Sequence, residues 1–209
     1  MMIDKWFGVR EGLATAGRIS VPARIRERIS AAEILLLILC GAGAAAASGF
    51  VRLGLRIPGH SIILSMIPMA LGLALAPRRF SGCIMSAGAL GTAAALSLSG
   101  LVHYGSGASI SLCLMGPMMD LAVAKVRSGW RLYLGLMLAG IGTNLLALAS
   151  RSVSKLLGLD LASMRPFDTW WAQAIFTYTV SGAVAGLIGA LCFFRLRSQQ
   201  SESEDFRFW

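Results

Sequence analysis

After residue 30 the chain alternates between long apolar stretches and short polar ones. Six apolar runs stand out: Ala31–Phe50, Ser61–Ala76, Gly82–Leu101, Gly107–Ala124, Arg131–Ser150 and Ala172–Phe194. A helix crosses a bilayer in roughly 17–25 residues, and most of these runs are near that length. The second is short, and reaches it if it begins at Ile57. None alternates with the period of two expected of a lipid-facing barrel strand. Hydrocarbon also obliges a spanning segment to bond its own backbone. The pattern predicts an all-α integral membrane protein, a bundle of about six transmembrane helices. It divides the chain into a basic segment (1–30), a transmembrane domain (31–194) and a polar, then aromatic, tail (195–209).

Composition sharpens this picture. The 209 residues are 56% hydrophobic and only 14% charged, whereas soluble domains are nearer one quarter charged. The net charge of +9 would suggest nucleic acid in a soluble protein. In a membrane protein the enrichment of Lys and Arg on the cytoplasmic side accounts for it, and no nucleic-acid partner is expected. The ends and even-numbered loops carry 14 of the 19 Lys and Arg residues, and the odd-numbered loops carry 5. Both termini are therefore expected in the cytoplasm, most simply of a bacterial inner or plasma membrane. A cleaved signal peptide is not expected, because the first apolar run starts behind about thirty residues of basic sequence.

Before the first run, Val21, Ile25 and Ile29 alternate with Arg24, Arg26 and Arg28 in Ser20–Ser30. That stretch reads either as a basic helix on the membrane surface or as an ordinary basic flank. Ser30 and Glu33 have capping-box spacing, which places the start of the first helix there. The tail reads as flexible unless its aromatic residues dock. Cys40, Cys83, Cys113 and Cys192 all lie inside apolar runs without metal-ligand spacing.

Chemistry-bearing residues are few. Gly41, Ala45 and Gly49 repeat every four residues in the first helix, with Ala42 and Ala46 beside them. Such a ridge lets another helix approach closely, whether from a partner subunit or from this bundle. Gly182, Gly186 and Gly189 raise the same pair of readings. Asp120 is the one acid well inside a run, about one turn from its cytoplasmic end and near Lys125 and Arg127. Its readings are a functional intramembrane acid or an ion pair at the interface, and the second is preferred. Pro58 and Gly59 precede His60 at the mouth of the second helix. His103 falls in the next connection on that side, Asn144 in the outer half of the fifth helix, and Trp170 and Trp171 at the start of the sixth. With Arg56 these residues have the composition of a small-molecule pocket, with aromatic walls and few polar anchors. Each is also ordinary at a membrane interface. No nucleophile elbow, zinc motif or phosphate loop is present, so neither enzyme activity nor a metal or other cofactor is expected.

The topology, the small-residue ridges and two further stretches together resemble the substrate-binding S components of energy-coupling factor (ECF) importers. Ala42-x-x-x-Ala46 and Gly41-x-x-x-Ala45 are similar to the first-helix ridge of that family. Leu53–Pro77 is similar to its loop and second helix, and Leu114–Ala124 to its Gly-Pro fourth-helix segment. The basic first segment and the aromatic tail depart from the family pattern. The N-terminal Met-His motif of its cobalt and nickel branch is absent from "MMIDKW", so a metal substrate is not implied. The resemblance implies a membrane-embedded subunit that captures a vitamin or other micronutrient for an ATP-driven importer. Arg56, His60, His103, Asn144, Trp170 and Trp171 would then face the solute. Gly41, Ala42, Ala45, Ala46 and Gly49 would dock on a transmembrane coupling protein that works with ATPases. The competing expectation is an accessory subunit of a respiratory or photosynthetic complex, which binds neighbouring subunits, lipids or pigments.

Overall fold

The structure, a computed structural model, describes residues 29–51, 59, 61–125, 130–157 and 167–205. The expected surface helix over Ser20–Ser30 lies almost wholly outside these residues, as do Arg52, Arg56, Pro58 and His60. Six helices make up the described chain: α1 (Ala31–Phe50), α2 (Ser61–Leu75), α3 (Ser81–Leu98), α4 (Ser106–Lys125), α5 (Trp130–Leu156) and α6 (Phe167–Asp205). No strand occurs among the described residues. Five helices are long and apolar enough to cross a bilayer, and α2, with 15 residues, is the shorter sixth. The chain is thus an all-helical protein of membrane type.

The helices begin close to where the apolar pattern places them, but two run further. α5 continues past Ser150 to Leu156, and α6 continues through the expected flexible tail to Asp205. At about 1.5 Å per residue, the 39 residues of α6 extend well beyond the ~30 Å hydrocarbon layer.

Neighbouring helices form a closed ring in the order α1, α3, α4, α5, α6, α2. The short α2 also leans inward to touch α3, α4 and α5. Accordingly Ile62, Met66, Met69, Ala70, Leu73 and Ala74 of α2 are all buried. Two neighbouring pairs run parallel. Gly41 meets Met85 and Ala89 while Gly49 meets Tyr104, which aligns α1 with α3; Gly59 meets Tyr178 while Gly189 meets Met66, which aligns α2 with α6. Backbones approach closely where side chains are missing. A Cβ on Gly82 would collide with the Gly116 carbonyl oxygen, and one on Gly116 with that of Gly82, which brings α3 against α4. Gly140 stands in the same relation to Gly182 across the α5–α6 contact. The ridge of α6 is therefore covered from within the bundle.

Polar groups fix one end of the ring. Ser30 and Glu33 form the expected capping box: Ser30 Oγ accepts from the Glu33 N–H at 3.2 Å, and Glu33 Oε2 accepts from the Ser30 N–H at 2.9 Å. The other oxygen of Glu33 accepts from Arg78 Nε and Nη2 at 3.1 and 2.9 Å, which ties α1 to the α2–α3 turn. In that turn Phe80 has a left-handed backbone (φ 68°) and gives α3 no side-chain cap. Asp120 of α4 supplies one instead. Its two carboxylate oxygens accept from the N–H groups of Gly82 and Cys83 at 2.8 and 2.9 Å. Asp120 thus caps α3 across the helix contact, while Arg127 of the expected ion pair lies outside the described residues. The physical reason is that a helix N-terminus in an apolar layer has unbonded N–H groups and a partial positive charge.

Asp120→Ala should leave both donors without an acceptor, at a cost of about 1–3 kcal/mol for each buried donor. Asp120→Asn keeps one carbonyl acceptor and should cost less. Thermal unfolding of the purified chain in detergent should rank wild type above Asn and Asn above Ala. Equal stability of all three would remove Asp120 from the role of cap.

Candidate functional site

The opposite end of the ring gathers the C-termini of α1, α3 and α5 and the N-termini of α2, α4 and α6. Asn144, 1% exposed, is the polar centre of this end. Its Nδ2 donates to the Tyr178 carbonyl at 2.7 Å and reaches the Gly59 carbonyl at 3.5 Å. One side chain of α5 thus holds both α6 and the chain entering α2. Gly59 is required there on two counts. Its φ of +84° is a conformation that side chains disfavour, and a Cβ would lie 3.0 Å from Asn144 Nδ2 and 3.1 Å from Tyr178 Cγ.

Around this centre Ala147, Leu148, Trp170, Ala174 and Tyr178 form a second apolar cluster, separate from the main core, with Trp171 packed against it. The two indoles lie 6.4 Å apart at 50°. Two cations of α5 rest on the buried ring of Trp170: the Arg151 guanidinium carbon at 6.0 Å from its centroid and Lys155 Nζ at 4.7 Å. Arg151 Nη1 also donates to the Tyr178 hydroxyl at 3.4 Å.

His103 lies on a different feature of the same end. It is exposed on the wall of an open cleft of about 370 Å³, with Ser48, Phe50, Val102, Tyr104 and Ala108 around it. Tyr104 closes the base by donating its hydroxyl to the Ala45 carbonyl at 2.8 Å. Burial raises the Tyr104 phenol above its ordinary pKa, so it remains a neutral donor. Gly49 leaves room for it, since a Cβ there would collide with the Tyr104 hydroxyl.

The structure therefore brings Asn144, Trp170 and Trp171 together and puts Gly59, the neighbour of His60 in sequence, beside them. Part of the first-helix ridge is covered from within the chain. Gly41 and Ala45 are buried, and a Cβ on Gly41 would collide with the Met85 carbonyl oxygen of α3. Ala42, Ala46 and Gly49 are half-buried. The close approach that Gly41 and Gly49 permit is used inside the chain, by α3 and by Tyr104.

Sequence reasoning passed over Arg151, Lys155, Tyr104 and Tyr178. It ended the fifth helix at Ser150, which left Arg151 and Lys155 as loop charges. The signal was present, because Leu148, Ser152 and Lys155 continue the helical spacing. Among the described residues no group of three or more His, Cys, Asp or Glu side chains gathers as a metal site would require.

Comparison with known proteins gives no match: no family model fits the chain, and no curated protein or solved structure matches it.

Ala45 is fully buried, so Ala45→Leu should overpack the α1–α3 contact and destabilise the isolated chain by about 1–3 kcal/mol. Unchanged thermal stability combined with lost assembly would instead make the ridge a docking face.

Proposed function

We propose that the chain is a membrane-embedded solute-binding subunit of an ATP-driven importer of vitamin-like micronutrients. The observation that carries this reading is the gathering of Gly59, Asn144, Trp170 and Trp171 at one end of the bundle, beside Arg151 and Lys155. Polar anchors on aromatic walls suit a small solute with a ring and a charged or acceptor group. His60 follows Gly59 in the chain and His103 lines the neighbouring cleft, so both belong to the set of residues expected to face solute. Arg56 belongs to it by sequence.

In this reading all six helices span the bilayer. The end carrying Arg78, Arg79, Lys125, Arg131 and Arg195 faces the cytoplasm with both termini, and the aromatic end faces outward. The sequence carries no nucleotide-binding motif, so the energy comes from partner ATPases through a transmembrane coupling protein. Because Gly41 and Ala45 are covered internally, docking falls to the half-exposed Ala42 and Ala46 and the exposed apolar face of α1 beside them.

Purification of the tagged chain from native membranes tests the proposal. ATPase subunits and a small solute, identified by mass spectrometry, should accompany it. A cysteine at position 106 in a cysteine-free variant should react with an impermeant reagent from outside, and one at 198 only after permeabilisation. Co-purification of redox or pigment proteins without a solute would replace this reading with that of an accessory subunit, and equal labelling at both positions would overturn the orientation.

A further inference from the structure

We infer that Arg79 and Phe80, in the turn between α2 and α3, form a site for the headgroup of an anionic phospholipid. Phe80 has a left-handed backbone, with φ 68° and ψ 15°. Among the described residues it is the only one besides glycines with a positive φ. That conformation is disfavoured for L-residues and is an outlier for a bulky one, so glycine or asparagine is its ordinary occupant. The phenyl ring is 55% exposed, so packing inside the bundle offsets little of this cost. Strain held at a fixed, exposed position points to a role outside the bundle.

The turn is held on each side of this pair. Glu33 accepts from Arg78 Nε and Nη2. Ser81 Oγ accepts from the Arg78 N–H at 3.0 Å and donates to the Ala76 carbonyl at 2.7 Å. Asp120 accepts from the N–H groups of Gly82 and Cys83. Both acids are thus directed into the turn and the start of α3, whereas Arg79 and Phe80 are exposed. The Arg79 guanidinium carbon stands 5.0 Å from the centroid of the Phe80 ring. The strained backbone therefore sets the ring as a support for the guanidinium. A guanidinium held in this way presents its planar fork of donors to a phosphate with less ordering left to do.

Depth and charge select the occupant. α3 is long and apolar enough to cross a bilayer, and its 18 residues measure about 27 Å. The hydrocarbon layer is ~30 Å thick, so a spanning α3 leaves the turn at the level of the headgroups. There a lipid phosphate can meet the guanidinium while the ring borders the acyl chains. Lys125 and Arg131 are further exposed cations at this end of the bundle, which favours an anionic over a zwitterionic headgroup.

The site requires only the membrane-type fold, so it stands or falls separately from the importer reading. The purified full chain, delipidated in nonionic detergent, is titrated with mixed micelles containing phosphatidylglycerol or phosphatidylcholine. A ligand that binds the folded chain raises its unfolding temperature, and that temperature is the readout. Phosphatidylglycerol should give a saturable rise that phosphatidylcholine does not. Arg79→Gln and Phe80→Gly should each lose the rise, and Arg131→Gln should keep it. Phe80→Gly also relieves the backbone, so without added lipid it should unfold near the wild-type temperature or above it. This separates loss of the site from loss of the fold. An equal rise with phosphatidylcholine, or a rise that persists in Arg79→Gln, overturns the inference. Equal loss in Arg131→Gln would assign the effect to the basic end as a whole and overturn it too. A rise with inorganic phosphate alone would make the pair a free-anion site rather than a lipid site. A Phe80→Gly chain that unfolds well below wild type without lipid would give the ring a structural role instead.

Discussion

Bare backbone packed against bare backbone at the helix crossings is the constraint on which this structure depends. In a hydrocarbon layer, apolar side chains gain little by leaving lipid for one another, and helices associate through close packing instead. Gly82 against Gly116 and Gly140 against Gly182 provide this for α3–α4 and α5–α6, and Gly41 against Met85 provides it for α1–α3. These crossings set the order of the ring. The short α2 fills what remains, so Met66, Met69, Ala70 and Ala74 are fully enclosed in the core. Met suits that place, because an unbranched side chain fills irregular gaps.

Polar groups inside such a bundle must find partners within the protein, and the two ends of the ring do this in different ways. At the basic end Glu33, Arg78, Ser81 and Asp120 are engaged with helix termini and the α2–α3 turn. This end is pinned. At the aromatic end Asn144 makes one short bond and one long one, and Arg151 and Lys155 lie against the Trp170 indole. The proposed function is built on the aromatic end, where Asn144 and the two indoles come together.

Much of the architecture is legible in the chain because lipid permits so few solutions. The apolar runs locate all six helices, and the Ser30–Glu33 spacing locates the start of α1. Helix ends are less legible, because α5 and α6 extend into polar sequence that hydropathy assigns to loop and tail. Helix partners were not legible. The pattern of Gly41, Ala45 and Gly49 shows that something approaches α1 closely, but not that it is α3 and Tyr104 of the same chain. Asp120 illustrates the same limit: an acid near Lys125 suggests a local ion pair, and only the α3–α4 crossing brings the Gly82 and Cys83 N–H groups into reach. At the site, Asn144, Trp170 and Trp171 could be chosen by residue type and depth, whereas the Arg151 and Lys155 contacts depend on the α5–α6 packing.

The ring order alone brings α2, α5 and α6 together around Asn144. The contact of α2 with α6 closes the ring, and Met66 touches Gly189 there. The Cβ position of residue 189 lies 2.8 Å from Met66 Cγ, close to where the sulfur of a cysteine at 66 would stand. That separation is close to the distance from a Cβ to the opposite sulfur across a disulfide, so the pair is suitably placed. A Met66→Cys, Gly189→Cys double variant in a cysteine-free background, oxidised in membranes, should form an intramolecular disulfide that shifts the monomer's mobility on a non-reducing gel. Each single variant should not. Absence of the intramolecular product, or crosslinking only between copies, would contradict the ring order.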